Sequence, residues 1–279
     1  MTMPKTIAAP YPRLGQAIGL VVAVLVLQGL VVFLLSRSVP GARGAAHLAS
    51  FLVVANLVSF GLVIAWAVRR MGLPFLEALP FAAVRPVVYG PLIVTVLGFG
   101  ILLSEADNLV RWILPMPEFL AEAFRQVGSG GAASLLAVVV VAPVVEELLL
   151  RGIILRGFLG RYRPGTAIFL SALIFGAMHL NPYQSASALV MGLVLGWLFY
   201  RSGSLWPCIF GHALFNAQGF IVSALLPFRI RGYNPETVNT STVEFQPLWF
   251  DLAGLALAGL GLALLLRALR REAVWDRAP

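Results

Sequence analysis

The carboxylate and imidazole chemistry of this 279-residue chain rests on 12 acids and 3 histidines, and a few of them fall at helical spacing inside apolar sequence. In Glu146-Glu147-Leu148-Leu149-Leu150-Arg151, Glu147 and Arg151 are four apart, so on a helix they share a face and can pair. Glu146 is turned about 100° away from that face and is left free. The same spacing sets Phe175 beside His179 and His212 beside Asn216, and Gly176 and Ala177 let a neighbouring helix approach closely. A carboxylate can take a proton from water. A histidine can donate a hydrogen bond, relay a proton or bind a metal. An asparagine amide can donate to a developing oxyanion. One glutamate with two histidines is also a catalytic zinc set, so Glu146, His179 and His212 are the ligands if a divalent metal such as zinc is used. No organic cofactor is expected.

Each residue also has a plainer role. A single histidine in an apolar helix can be an interhelical hydrogen-bond partner, worth about 1–2 kcal/mol. Glu147 and Arg151 can form a neutralising pair with no part in chemistry. Asn56 and Gln218 read as helix-packing polar groups that could extend a site. His47 reads as interfacial, Cys208 as a small packing residue, and Ser129 in Gly128-Ser129-Gly130-Gly131 as part of a flexible joint. A single cysteine excludes an intramolecular disulfide and a cysteine metal cluster.

The elements that must position these residues follow from composition. Apolar residues make up 59% of the chain and charged ones 11%, with a mean hydropathy of +0.90. Soluble domains carry about 25% charge, so a soluble globule is excluded and an all-α membrane bundle is indicated. Stretches free of charge run over residues 14–36, 46–68, 86–104, 126–145, 164–200, 202–228 and 252–266. The fifth is too long for one span of about 20 residues, and Asn181-Pro182 divides it. About eight transmembrane helices are therefore expected, in a single membrane domain over 1–279, with the site in a core of about 132–226. The first run exceeds a signal-peptide core and reads as a retained helix.

The net charge of +8 does not indicate a nucleic-acid partner, because the basic residues flank apolar runs. With the N-terminus on one side, fourteen Lys and Arg fall on that side, Arg69, Arg70, Arg161 and Arg163 among them. Six fall on the other, Arg37, Arg43, Arg111, Arg125, Arg229 and Arg231. Both termini are thus expected in the cytoplasm, in the plasma membrane. The connection 105–131 mixes acids with Trp112, Phe119 and Phe124 and reads as an external interfacial helix. The loop 229–244 reads as polar and mobile. At 1.5 Å per residue, Glu146 lies about 15 Å from Arg156, His212 about 16 Å from Arg201 and His179 about 24 Å from Arg163, all inside a core of about 30 Å.

These motifs resemble the CPBP family of intramembrane proteases, which includes CAAX-processing endopeptidases and bacterial Abi-type proteins. The family's E-E-x-x-x-R, F-x-x-x-H and H-x-x-x-N appear here in order as Glu146, Glu147 and Arg151; Phe175 and His179; His212 and Asn216. The resemblance covers about residues 140–220. It implies an endopeptidase in which Glu146 and His179 activate water, His212 and Asn216 form the oxyanion hole, and Glu147, Arg151 and Phe175 support the site. It also implies a substrate that is a membrane-associated protein or peptide, lipidated ones among them. A metal-dependent scheme uses the same residues. No His-Glu-x-x-His and no Gly-x-Gly-Asp is present, which argues against the site-2 and presenilin chemistries. Two alternatives stand beside this reading. One is a proton-coupled transporter, since buried Glu and His also relay protons. The other is a catalytically silent binding or immunity protein on the same scaffold.

Overall fold

A computed structural model describes residues 11–39, 45–225, 228–234 and 243–270. Its regular structure there is helical, and one isolated bridge joins Phe81 to Ser204. The long elements are α1 (Leu14–Ser38), α2 (Ala45–Met71), α3 (Tyr89–Ile113), α4 (Glu118–Ser129), α5 (Gly131–Leu159), α6 (Pro164–Ala177), α7 (Pro182–Ser202), α8 (Trp206–Leu225) and α9 (Leu248–Leu269). A one-turn helix, Phe75–Ala78, lies between α2 and α3.

Local chemistry sets several of these ends. The Asn181 side chain accepts from the Gln184 backbone N–H at 2.9 Å, Pro182 begins α7, and Gly203 ends it at φ 63°. Pro164 opens α6 in the same way. The joint between α4 and α5 falls at Gly130 and Gly131, the latter at φ 60°.

Six helices among the described residues are long and apolar enough to cross a bilayer, rather than the expected eight. Two regions account for the difference. Helix α6 has 14 residues, about 21 Å of rise against a core of about 30 Å. Helix α8 has the 20 residues a span needs and is outside that count because Ser223 falls outside the residues whose side chains are described. The fourth span begins at Gly131 and runs on to Leu159, so the acidic pair sits mid-helix, at the depth expected for it. One further expectation is corrected. Helix α3 continues past Ser104 to Ile113, carrying Glu105, Asp107 and Arg111 with it; the interfacial helix expected in this connection is confined to α4.

Packing relies on close backbone approach. Helix α9 lies antiparallel on α3, where a Cβ on Gly98 would meet the Ala258 nitrogen at 2.3 Å and one on Gly261 would meet the Thr95 nitrogen at 2.4 Å. Helices α1 and α2 share a hydrogen bond from Gln28 Nε2 to Asn56 Oδ1 of 2.6 Å, which gives Asn56 its packing role. Residues 228–234 and 243–247 are tied to α3: Asn108 donates to the Gly232 carbonyl, and Glu105 accepts from the Gln246 N–H. This part of the loop is held in place, contrary to the expected mobility. The rest of that loop, 235–242, falls outside the described residues, as do both chain ends.

Candidate active site

Helix α5 is not a regular helix where it carries the glutamates. One α-helical turn, Ala142–Glu147, is flanked by π-helical turns at Leu136–Val141 and Leu148–Leu155. Such widened turns occur where a helix cannot close its usual ladder, and they gather at functional positions. Here Pro143 supplies the cause. The Ala142 N–H bonds to the Ala137 carbonyl, five residues back. In that register the Val138 carbonyl would take its bond from residue 143, and proline has no N–H. The Asn216 amide of α8 donates to Val138 O instead, at 2.9 Å.

Beyond this turn, Glu147 is the hub of the site. Its Oε1 accepts from Arg151 Nη1 at 2.8 Å and from His212 Nδ1 at 2.9 Å. Glu147 is 0% exposed, Arg151 1% and His212 5%. Arg151 also donates to the Gly192 carbonyl of α7, and its guanidinium lies 4.8 Å from the Phe175 ring centroid. Phe175 in turn meets both imidazoles edge-on, at 5.2 Å for His179 and 5.4 Å for His212. The aromatic residue of F-x-x-x-H is thus a wedge that spaces the arginine and the two histidines.

The two histidines are oriented alike. With Glu147 ionised, His212 carries its proton on Nδ1 and turns Nε2 toward Glu146, 3.8 Å from Oε2. His179 Nδ1 lies 2.9 Å from the Phe175 carbonyl and donates to it, which leaves its Nε2 as an acceptor. His179 stands two residues beyond the end of α6, just before the expected break at Asn181-Pro182, in a turn completed by Leu180 at φ 56°. The short helix accounts for this, since α6 ends inside the protein and presents His179 at its tip.

Phe175, His179, His212 and Asn216 line one cavity of about 550 Å³, which runs between α3, α7 and α8 toward Tyr233 and Asn234. Its wall includes groups that sequence reasoning assigned to a loop or left aside. Asp107 and Arg111 pair at 2.6 Å on α3, and Ser104, Gln184 and Ser187 face the same space. Their i, i+4 spacing was the available signal, masked by ending the span at the first charge. Gln218 both packs, donating to Val96 O, and lines the cavity. Ser129 ends α4 and is not on the wall; Cys208 is buried against the Leu195 carbonyl, as a packing residue should be.

Among the described residues no three of His, Cys, Asp and Glu are grouped to hold a metal ion.

Comparison with known proteins matches the same part of the chain. Residues 128–218 fit a family model described as Type II CAAX prenyl endopeptidase Rce1-like. A protein of Arabidopsis thaliana named CAAX prenyl protease 2 is 33% identical over 104 residues, covering 30% of this chain and 33% of that protein. The chain thus aligns with about a third of the relative's length. No solved structure matches it.

Proposed function

For a chain whose residues 128–218 match the Rce1-like family model, we propose that the whole protein is a membrane endopeptidase of the CAAX-processing kind within the CPBP family. It hydrolyses a peptide bond of a membrane-associated protein or peptide by a water that Glu146 activates. The observation carrying this reading is the fixed couple Glu147–His212–Glu146: one carboxylate locks the imidazole through Nδ1, and the other faces its Nε2.

The chemistry follows from the order of protons. A water between Glu146 and the Nε2 of His179 gives a proton to the carboxylate, and the resulting hydroxide attacks the scissile carbonyl carbon. His212 Nε2 is 3.8 Å from Glu146 Oε2 and shares that proton. Protonated, the imidazolium faces the Glu147 carboxylate and offers Nε2–H to the oxyanion of the tetrahedral intermediate. One Asn216 N–H is engaged by Val138 O, so its oxyanion role falls to the second. The proton then goes to the amine as the C–N bond breaks. Arg151 balances Glu147, so the ionised Glu146 is the one uncompensated charge of the couple, and it is neutralised when the proton arrives.

The test is cleavage of a farnesylated CAAX peptide by purified protein in proteoliposomes. Glu146→Gln should lower turnover by at least about 10²-fold while the protein keeps its elution profile and thermal transition. Retained turnover overturns the assignment of the base. The transporter and the silent-scaffold readings are not favoured by the family match.

A further inference from the structure

At one end the cavity is lined by the partly exposed Asp107 and Arg111 and the exposed Gln184, and the charges on the two ends of the bundle say which side of the membrane that end faces. The floor lies beside His212. A Cβ on the adjoining Gly211 would be 3.3 Å from Leu92 Cδ1, which sets the floor level with Leu92 of α3. Arg111, also on the cavity wall, is nineteen residues further along the same helix, about 28 Å by helical rise. The cavity therefore runs from His212 along α3 toward the end where Asp107, Arg111, Gln184, Tyr233 and Asn234 stand.

The opposite end is sealed. Leu79, Leu149, Ile153 and Leu205 below the site are all 0% exposed. The segment that follows the one-turn helix is pinned across it: the Leu205 N–H donates to Pro80 O at 2.9 Å and Ser204 Oγ to Ala82 O at 2.6 Å. Arg156 donates to the Ala78 carbonyl at 2.8 Å from below. A Cβ on Gly152 would approach Leu79 Cδ2 to 2.7 Å, so this plug fits without slack.

The sealed end is the basic one. Leaving aside Arg151 in the site, ten arginines among the described residues flank helix ends there, including Arg69, Arg70, Arg85, Arg161, Arg163 and Arg201. Five, namely Arg37, Arg111, Arg125, Arg229 and Arg231, flank the open end. Arginine-rich helix ends stay on the cytoplasmic side. We propose that the site is entered from the face of the membrane away from the cytoplasm, and that its substrate is a membrane-associated peptide or protein segment delivered from that face. This rests on the cavity being a peptidase site. It narrows the substrate class to chains that have crossed the membrane or reside in its outer leaflet.

The experiment separates orientation from activity. The full chain is expressed in a bacterial host as Gln184→Cys or Glu118→Cys at the open end and as Arg163→Cys at the sealed end. Spheroplasts are treated with a membrane-impermeant maleimide, with the unsubstituted chain and its buried Cys208 as the blank. Cysteines at 184 and 118 should label in intact spheroplasts, and the one at 163 only after lysis. Labelling of 163 in intact spheroplasts, or of 184 and 118 only after lysis, overturns the proposal. In a second arm, right-side-out and inverted vesicles receive the farnesylated CAAX peptide. Cleavage should be at least tenfold faster in right-side-out vesicles, and equal or reversed rates overturn the proposal. Loss of cleavage in both vesicle types, with the labelling as expected, removes the peptidase reading and leaves the orientation standing.

Discussion

Replacing Asn216 by alanine, once in the wild-type chain and once in a Pro143→Ala background, separates the two jobs that the geometry gives this amide. In the wild type the Asn216 N–H is the partner of a Val138 carbonyl that Pro143 cannot serve. Removing it leaves a carbonyl unpaired inside a membrane helix, at a cost of about 1–3 kcal/mol. Pro143→Ala restores a backbone N–H in the register that Val138 requires, so Asn216→Ala should then cost less than about 1 kcal/mol. The coupling between the two substitutions should accordingly be about 1–2 kcal/mol, read from unfolding of all four proteins in mixed micelles. Turnover behaves differently. If the second Asn216 N–H serves the oxyanion, Asn216→Ala lowers turnover by about 10²–10³ in both backgrounds. Equal stability costs in the two backgrounds would refute the account of the widened turn. Normal turnover in the stable double variant would remove Asn216 from the chemistry.

Arg151→Ala strips Glu147 of its balancing charge and of the guanidinium stacked on Phe175, and should destabilise the protein by about 3–5 kcal/mol. Adding Glu147→Gln should recover part of that loss in the same micelle assay, because no uncompensated charge is then buried. Dialysis against a strong zinc chelator should leave turnover within about twofold of the untreated enzyme, with zinc add-back as the control; loss on chelation and recovery on add-back would refute a site run by side chains alone. Gly261→Ala drives a Cβ into the Thr95 backbone and should cost about 1–3 kcal/mol. An unchanged unfolding midpoint would show that α3 and α9 can part freely.

Much of this protein is legible in one dimension because a membrane imposes one-dimensional rules. A helix must be long and apolar to cross, so composition alone led to a helical bundle, and the scarcity of charge singled out Glu146 and Glu147. The i, i+4 rule anticipated three local pairs, and two are realised as direct contacts: Glu147 with Arg151, and Phe175 with His179. The span count was less legible, because a helix that stops short to present a side chain, as α6 does with His179, reads in sequence like one that crosses.

Tertiary structure decided the rest. Spacing could not say that His212 binds Glu147 and turns its other nitrogen to Glu146, since that depends on α8 packing against α5. It could not say that Pro143 leaves a carbonyl for Asn216, 78 residues away, or that Asp107 and Arg111 belong to the cavity wall. Sequence determines which groups a helix carries and on which face, through a fixed rise and turn per residue. Which faces meet, and which end of the space between them stays open, is set by close contacts between residues distant in the chain.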